Sequence, residues 1–182
     1  MLENLASALA EALQDEYKAR ATYRAILDRF GAVRPFTNIL ASEERHIRAL
    51  LAIYQRYGLP IPEDHWAAQV RVPDTLTQAC EEGVQAEIEN GAMYERLLAM
   101  TTAYPDVQRV FRQLQRASQE NHLRAFQRCA SRAGDRPLPP GRSHRRDRSW
   151  DQAEVTPCAA SPSGRRRHRH RRGGCNGLKP VT

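Results

Sequence analysis

The chain has 182 residues, with 28 Lys and Arg against 21 Asp and Glu and a formal net charge of +7, a length that fits one domain of ordinary size. The charge is unevenly placed: residues 1–130 hold 15 basic against 17 acidic side chains, and residues 131–182 hold 13 against 4. No apolar run approaches the roughly eighteen residues of a membrane span, and Met1-Leu2-Glu3-Asn4 shows no sign of a signal peptide, so a cytoplasmic protein without a membrane partner is expected.

Four stretches carry apolar residues at the period of an amphipathic helix. The first is expected over residues 3–30, with Leu5, Leu9, Leu13, Tyr23, Ile26, Leu27 and Phe30 on one face and Gly31 as its stop. The second, over 35–57, takes Pro35 into its first turn. It carries Phe36, Ile39, Leu40, Leu50, Ile53, Tyr54 and Tyr57 and ends at Gly58. The third, over 74–102, follows Pro73 with Asp74 or Thr75 as its cap and carries Leu76, Val84, Tyr94, Leu97 and Leu98. The fourth, over 106–132, follows Pro105 with Asp106 as its cap and carries Val107, Val110, Phe111, Leu114 and Phe126. No segment alternates as a strand, so the body is expected to be all-α.

Loop lengths then choose the topology. The connections within each pair of helices are only a few residues, which forces antiparallel neighbours. The middle connection, over 58–73, is long and holds Pro60, Pro62 and Pro73. At ~3.3 Å per extended residue it spans a helix of about twenty residues rising ~1.5 Å each. Short, long, short is the connectivity of an antiparallel four-helix bundle made of two hairpins and one crossover. This bundle is assigned to residues 1–133.

Charge interrupts the apolar stripe of the second helix at Glu43 and His46, three residues apart and both facing the core. A buried carboxylate and imidazole need partners. Glu-x-x-His aimed into a bundle core is one way di-iron and di-manganese carboxylate proteins build their sites; the alternative is a plain core ion pair. The chain writes the pattern twice. Residues 41–50 (Ala-Ser-Glu-Glu-Arg-His-Ile-Arg-Ala-Leu) read against 117–126 (Ala-Ser-Gln-Glu-Asn-His-Leu-Arg-Ala-Phe), and Glu16 with Tyr23 reads against Glu87 with Tyr94. Counted from the short turns, Glu16, Glu43, His46, Glu87, Gln119 and His122 converge on one layer in the middle of the bundle. Tyr23 and Tyr94 read as core tyrosines with satisfied hydroxyls, hydrogen bonds to the carboxylates or a redox-active phenol being the alternatives. Asn38 and Asn90 are further candidates behind the carboxylates.

Phe36-Thr37-Asn38-Ile39-Leu40-Ala41-Ser42-Glu43-Glu44-Arg45-His46 and Asn121-His122-Leu123-Arg124-Ala125-Phe126 resemble strings of a poorly characterised prokaryotic family. That family lies in the ferritin-like di-iron carboxylate superfamily, rubrerythrin-like in style, and the resemblance covers about residues 3–132. It implies a ferritin-like fold, metal ions as partners (iron, with manganese as the alternative), and oxidation of ferrous ion or reduction of peroxide. The superfamily pattern assigns Glu16, Glu43 and His46 to one metal and Glu87 and His122 to the other, with a carboxylate at 119. Gln119 stands there instead, and a neutral amide does not neutralise a cation, so one metal per chain is an open outcome. Glu120 lies about 100° around the helix and reaches the site only if the helix is locally distorted, for instance by a π-bulge. A non-catalytic bundle whose layer is a polar network is the competing reading, and a homodimer is left open.

From Gly134 onward Pro, Gly, Ser and Arg dominate, and apolar residues are too sparse to bury a core. Residues 134–182 are therefore expected to form a disordered basic tail, whose run over 165–172 suits non-specific contact with nucleic-acid phosphates. Only Lys18 and Lys179 among the 28 basic residues are Lys, so biased coding or an altered reading frame is the alternative. The cysteines, Cys80, Cys129, Cys158 and Cys175, make no Cys-x-x-Cys pair and no secreted-type disulfide framework. Cys80 and Cys129 read as small buried hydrophobes.

Overall fold

The computed structural model describes residues 2–133; the expected disordered tail over 134–182 and its cationic run lie outside the described residues. The helices are α1 (Leu2–Phe30), α2 (Phe36–Tyr57), α3 (Leu76–Met100), α4 (Pro105–Ala117) and α5 (Leu123–Ala133). A π-helical turn, Ser118–His122, joins α4 to α5 without a break, so the last three segments form one helical arm. The result is an all-α four-helix bundle: α1 pairs with α2, α3 pairs with the α4–α5 arm, and α1 also packs on α3. Among the described residues there is no strand, and no helix is long and apolar enough to cross a membrane.

Local chemistry explains most of the ends. Gly31 and Gly58 take φ of +82° and +62°, where a side chain would be strained. Past Gly58, the Leu59 N–H returns to the Tyr54 carbonyl at 3.0 Å, closing the last turn of α2. Thr75 caps α3 by accepting from the Gln78 N–H at 3.1 Å. Asp106, expected as a cap, is not one. Pro105 is itself the first helical residue, where its missing N–H costs nothing. Asp106 instead accepts from Arg56 Nη1 and Tyr57 OH, each at 2.8 Å, and so pins the start of α4 to the end of α2.

The core is divided along its length. One apolar cluster holds Leu5, Leu9, Leu13, Leu50, Tyr54, Leu97, Val107 and Phe111. The other holds Tyr23, Ile26, Phe36, Ile39, Ala79, Cys80 and Phe126. In chain order the buried polar residues Glu16, Glu43, His46, Glu87, Ser118 and His122 fall between these two sets on each helix. Each fully buried large side chain contributes roughly 1.5–3 kcal/mol, so the polar layer is held in place by the apolar packing around it.

Cys80 and Cys129 are not independent small hydrophobes: they form a disulfide, with their Cα atoms 5.7 Å apart and 49 residues between them in sequence. Their periodicity placed each on an apolar face, but only the packing of α3 against α5 makes them neighbours. The crossover carries one short 3-10 turn, Trp66–Ala68, and is strapped to α1. Gln14 Nε2 donates to the Glu63 carbonyl at 3.1 Å, Trp66 Nε1 donates to Gln14 Oε1 at 2.8 Å, and Arg20 pairs with Asp64.

Candidate metal centre

Five side chains from all four arms of the bundle meet in the polar layer, and none is more than 9% exposed: Glu16 of α1, Glu43 and His46 of α2, Glu87 of α3 and His122 of the π turn. Their ligand atoms form two triads, Glu16–Glu43–His46 and Glu43–Glu87–His122, and within each triad these atoms lie within 4.8 Å of one another. Glu43 belongs to both. Its Oε2 is 2.8 Å from His46 Nδ1 and its Oε1 is 3.3 Å from His122 Nδ1. His46 Nδ1 also lies 3.2 Å from Glu16 Oε2, and His122 Nδ1 lies 3.5 Å from Glu87 Oε1. The two imidazoles stack with centroids 5.6 Å apart. Behind His46, Ser42 Oγ stands 3.3 Å from Nε2.

Both tyrosines point into this layer. Tyr94 OH donates to Glu16 Oε1 at 2.8 Å, and Tyr23 OH reaches Glu87 Oε1 at 3.4 Å. The pairing crosses the repeat: each tyrosine serves the carboxylate of the other hairpin. Burial, reinforced by the carboxylate each one faces, pushes both phenols well above their ordinary range, so they stay hydrogen-bond donors at any ordinary pH. Asn90, which the sequence offered as a candidate, donates from Nδ2 to Asp15 Oδ2 at 2.7 Å, while Asn38 is exposed.

The protonation of the metal-free layer follows from the crowding of like charges. Burial, and then the charge of Glu43, raises Glu16 to about 8. Burial pushes Glu43 the same way but is outweighed by hydrogen bonds from His122 and His46, which hold it down to about 2. Burial lowers both histidines, yet hydrogen bonds from the carboxylates win: Glu16 and Glu43 raise His46 to about 10, and Glu43 and Glu87 raise His122 to about 9. Glu43 is thus an ionised carboxylate gripped by two imidazolium rings, with a protonated Glu16 beside it.

Gln119 and Glu120 do not join the cluster. Gln119 turns back onto the protein, donating from Nε2 to the Glu87 carbonyl at 2.5 Å and to Ser118 Oγ at 2.9 Å. Glu120 is exposed despite the π turn around it. The residue brought inward is Ser118, 3% exposed. Sequence reasoning missed it because a serine aligned with Ser42 carries no charge to betray its position. It also passed over Asp15, whose carboxyl burial pushes up.

A cavity of about 370 Å³ opens onto the layer between α1, α3 and the crossover. Glu16, Glu43, His46, Glu87, Ser118 and His122 line its inner end, and Trp66, Gln69 and Arg71 of the crossover border it.

Fold and cluster together define an all-α four-helix bundle with a buried carboxylate–histidine centre that could hold metal ions. The chain belongs to a family described only as an uncharacterised protein domain, DUF2202, matched over residues 8–144. No curated protein matches it. Among solved structures, a hypothetical protein of Methanococcus jannaschii is similar at 24% identity over 71% of this chain and 81% of that one, with a TM-score of 0.63. That likeness speaks for the fold alone.

Proposed function

We propose that Glu16, Glu43, His46, Glu87 and His122 hold two metal ions with Glu43 shared between them, and that the protein is a ferritin-like oxidoreductase of the di-iron type. The observation that carries this reading is the position of Glu43, which turns one oxygen to each histidine. The donor set suits the group. Carboxylate oxygens and imidazole nitrogens are hard and borderline ligands that match iron or manganese. In both rings Nδ1 is the nitrogen facing the carboxylates. Iron held there would supply redox chemistry at one electron per ion, with ferrous ion as a substrate or with two ferrous ions together furnishing the two electrons that reduce a peroxide to water.

The chain's own residues bind and orient. Tyr94 and Tyr23 hold the outer carboxylates through hydrogen bonds, and Ser42 steadies the His46 ring, the kind of outer contact that tunes ligand affinity. Anaerobic titration of the full chain with ferrous ion should reach two equivalents, and Glu43→Ala should lose both. Unchanged binding in Glu43→Ala would refute the reading.

One observation favours a second reading, a metal-free polar network. Among the described residues the buried side-chain polar atoms without partners are Tyr54 OH and Asn90 Oδ1, neither of which belongs to the cluster. A self-satisfied network predicts a melting temperature unchanged when chelator strips the purified protein.

A further inference from the structure

The two halves of the centre are unequal, and the inequality lies beside Ser118. Around His46 a carboxylate precedes the histidine by three residues on the same helix. Around His122 the inward position on the same helix is Ser118, four residues earlier, within the π turn. Ser118 matches Ser42, which is also buried four residues before its histidine, but no carboxylate stands beside it, because Gln119, aligned with Glu43, is turned onto the Glu87 carbonyl.

Gln119 sets the direction of that hydroxyl. Because Gln119 Nε2 donates to Ser118 Oγ, the Ser118 oxygen is already an acceptor there, and its own proton is left to donate elsewhere. Ser118 is buried and lines the cavity beside Glu87 and His122, so the cavity is where that proton can be given. Gly91 makes room for the arrangement: a Cβ at this position would lie 2.7 Å from Gln119 Cδ. Gly91, Gln119 and Ser118 together present a neutral donor to the centre.

Charge supplies the second argument. Two divalent ions bring four positive charges, and Glu16, Glu43 and Glu87 return three negative ones; neutral imidazoles add none. One positive charge is left in a buried site, where an uncompensated charge is costly, and either a metal-bound hydroxide or an entering anion offsets it. The cavity lining carries both signs beyond the centre, with Asp15, Glu82 and Glu89 against Lys18 and Arg71, so the attraction for an anion comes from the loaded centre itself.

We propose that the loaded centre takes a small exogenous monoanion of the carboxylate class, which enters the cavity, binds at the Ser118 edge and accepts a hydrogen bond from Ser118 Oγ. The cavity has the volume for a small organic acid, and Ala19, Ile26, Ala79 and Gly83 on its lining offer an apolar wall for the carbon chain. This inference rests on the two-metal reading and names the ligand class of the same centre.

The test uses the full chain loaded with cobalt(II) in chloride-free buffer, its metal content fixed by elemental analysis and its visible spectrum followed during titration with acetate. Wild type should show a saturable one-to-one spectral change. Ser118→Glu, which supplies the carboxylate internally, should keep two metals and bind acetate at least about tenfold more weakly, a loss of about 1.4 kcal/mol. Ser118→Ala, a small change at a buried position, should weaken acetate several-fold without changing the metal content. Two bound metals with no saturable response to acetate would overturn the inference and leave the metal reading standing. So would acetate binding in either Ser118 variant equal to wild type. Failure of the wild type to load two metals would overturn both.

Discussion

Metal loading of this centre should be a proton-releasing reaction with a number that can be worked out beforehand. Ligating carboxylates and imidazoles must give up their protons. With Glu16 at about 8, His46 at about 10 and His122 at about 9, all three are mostly protonated in the metal-free protein at pH 7. Glu43, held at about 2, has no proton to lose. Full loading at pH 7 should therefore release about three protons per chain, and at pH 9 only about one and a half, because Glu16 is by then largely ionised and His122 half so. Calorimetric titration in pairs of buffers with different ionisation enthalpies reads this number directly. His46→Ala should lower it by about one at pH 7. Release of fewer than about one proton at pH 7, or release that does not fall between pH 7 and 9, would refute the account of how the layer is charged.

The metal-stripped protein should have a stability optimum in mildly acid solution. Glu16 and His46 have raised folded values, so their contributions are present below 4.5 and 6.5 and are lost as pH rises through about 8 and about 10. Glu43 is depressed, so its contribution is present above 4.5 and lost as pH falls toward about 2. Melting temperature should peak between these limits, and a rise from pH 6.5 to 9 would contradict the assignment. Tyr94→Phe removes a 2.8 Å bond to Glu16, whereas Tyr23→Phe removes one of 3.4 Å to Glu87. Metal affinity measured by competition with a chelating dye should fall about tenfold for the first and distinctly less for the second; equal effects would count against the geometry. Gly83→Ala gains about 1 kcal/mol of helix propensity, but its Cβ would stand 2.7 Å from the Phe126 ring, and overpacking costs about 1–3 kcal/mol. A net loss in denaturant midpoint is expected, and a more stable variant would show the ring is free to move. Reducing Cys80–Cys129 opens a loop with a sequence separation of 49, worth up to about 4 kcal/mol in the loop-entropy account. Melts with and without reductant should differ, and identical melts would argue against the bond.

The fold was legible because periodicity and loop length are both local signals. Apolar spacing sufficed for α1 and α2. Gly58 ends one helix through a left-handed backbone, and Thr75 starts the next through a side-chain oxygen that accepts from the Gln78 N–H. Asp106 misled because two reasonable signals collided at one helix start. An acidic residue after proline reads as a cap, but proline occupies the first helical position more readily than it precedes one, and the carboxylate was free to bind Arg56 and Tyr57. The disulfide was not legible for a different reason. It depends on how α3 and α5 sit against each other, and nothing in the spacing of Cys80 and Cys129 encodes that.

The layer was legible up to the residue where helical counting changes. Glu16, Glu43, His46, Glu87 and His122 could be grouped from the internal repeat, and the structure brings these five together. The repeat also paired Gln119 with Glu43, an inference that assumes three residues before His122 point where three residues before His46 do. A π turn breaks that assumption. It inserts one residue into the helix, so the position three before His122 no longer lies at the angle that the position three before His46 does. Gln119 is thereby turned onto the Glu87 carbonyl, while Ser118 keeps the buried place that Ser42 holds in the other half. Glu120, which could reach the site only through a local distortion of the helix, stays exposed even with the π turn around it. The same single insertion that turns Gln119 away from the centre leaves a buried hydroxyl, Ser118, on the cavity lining beside it.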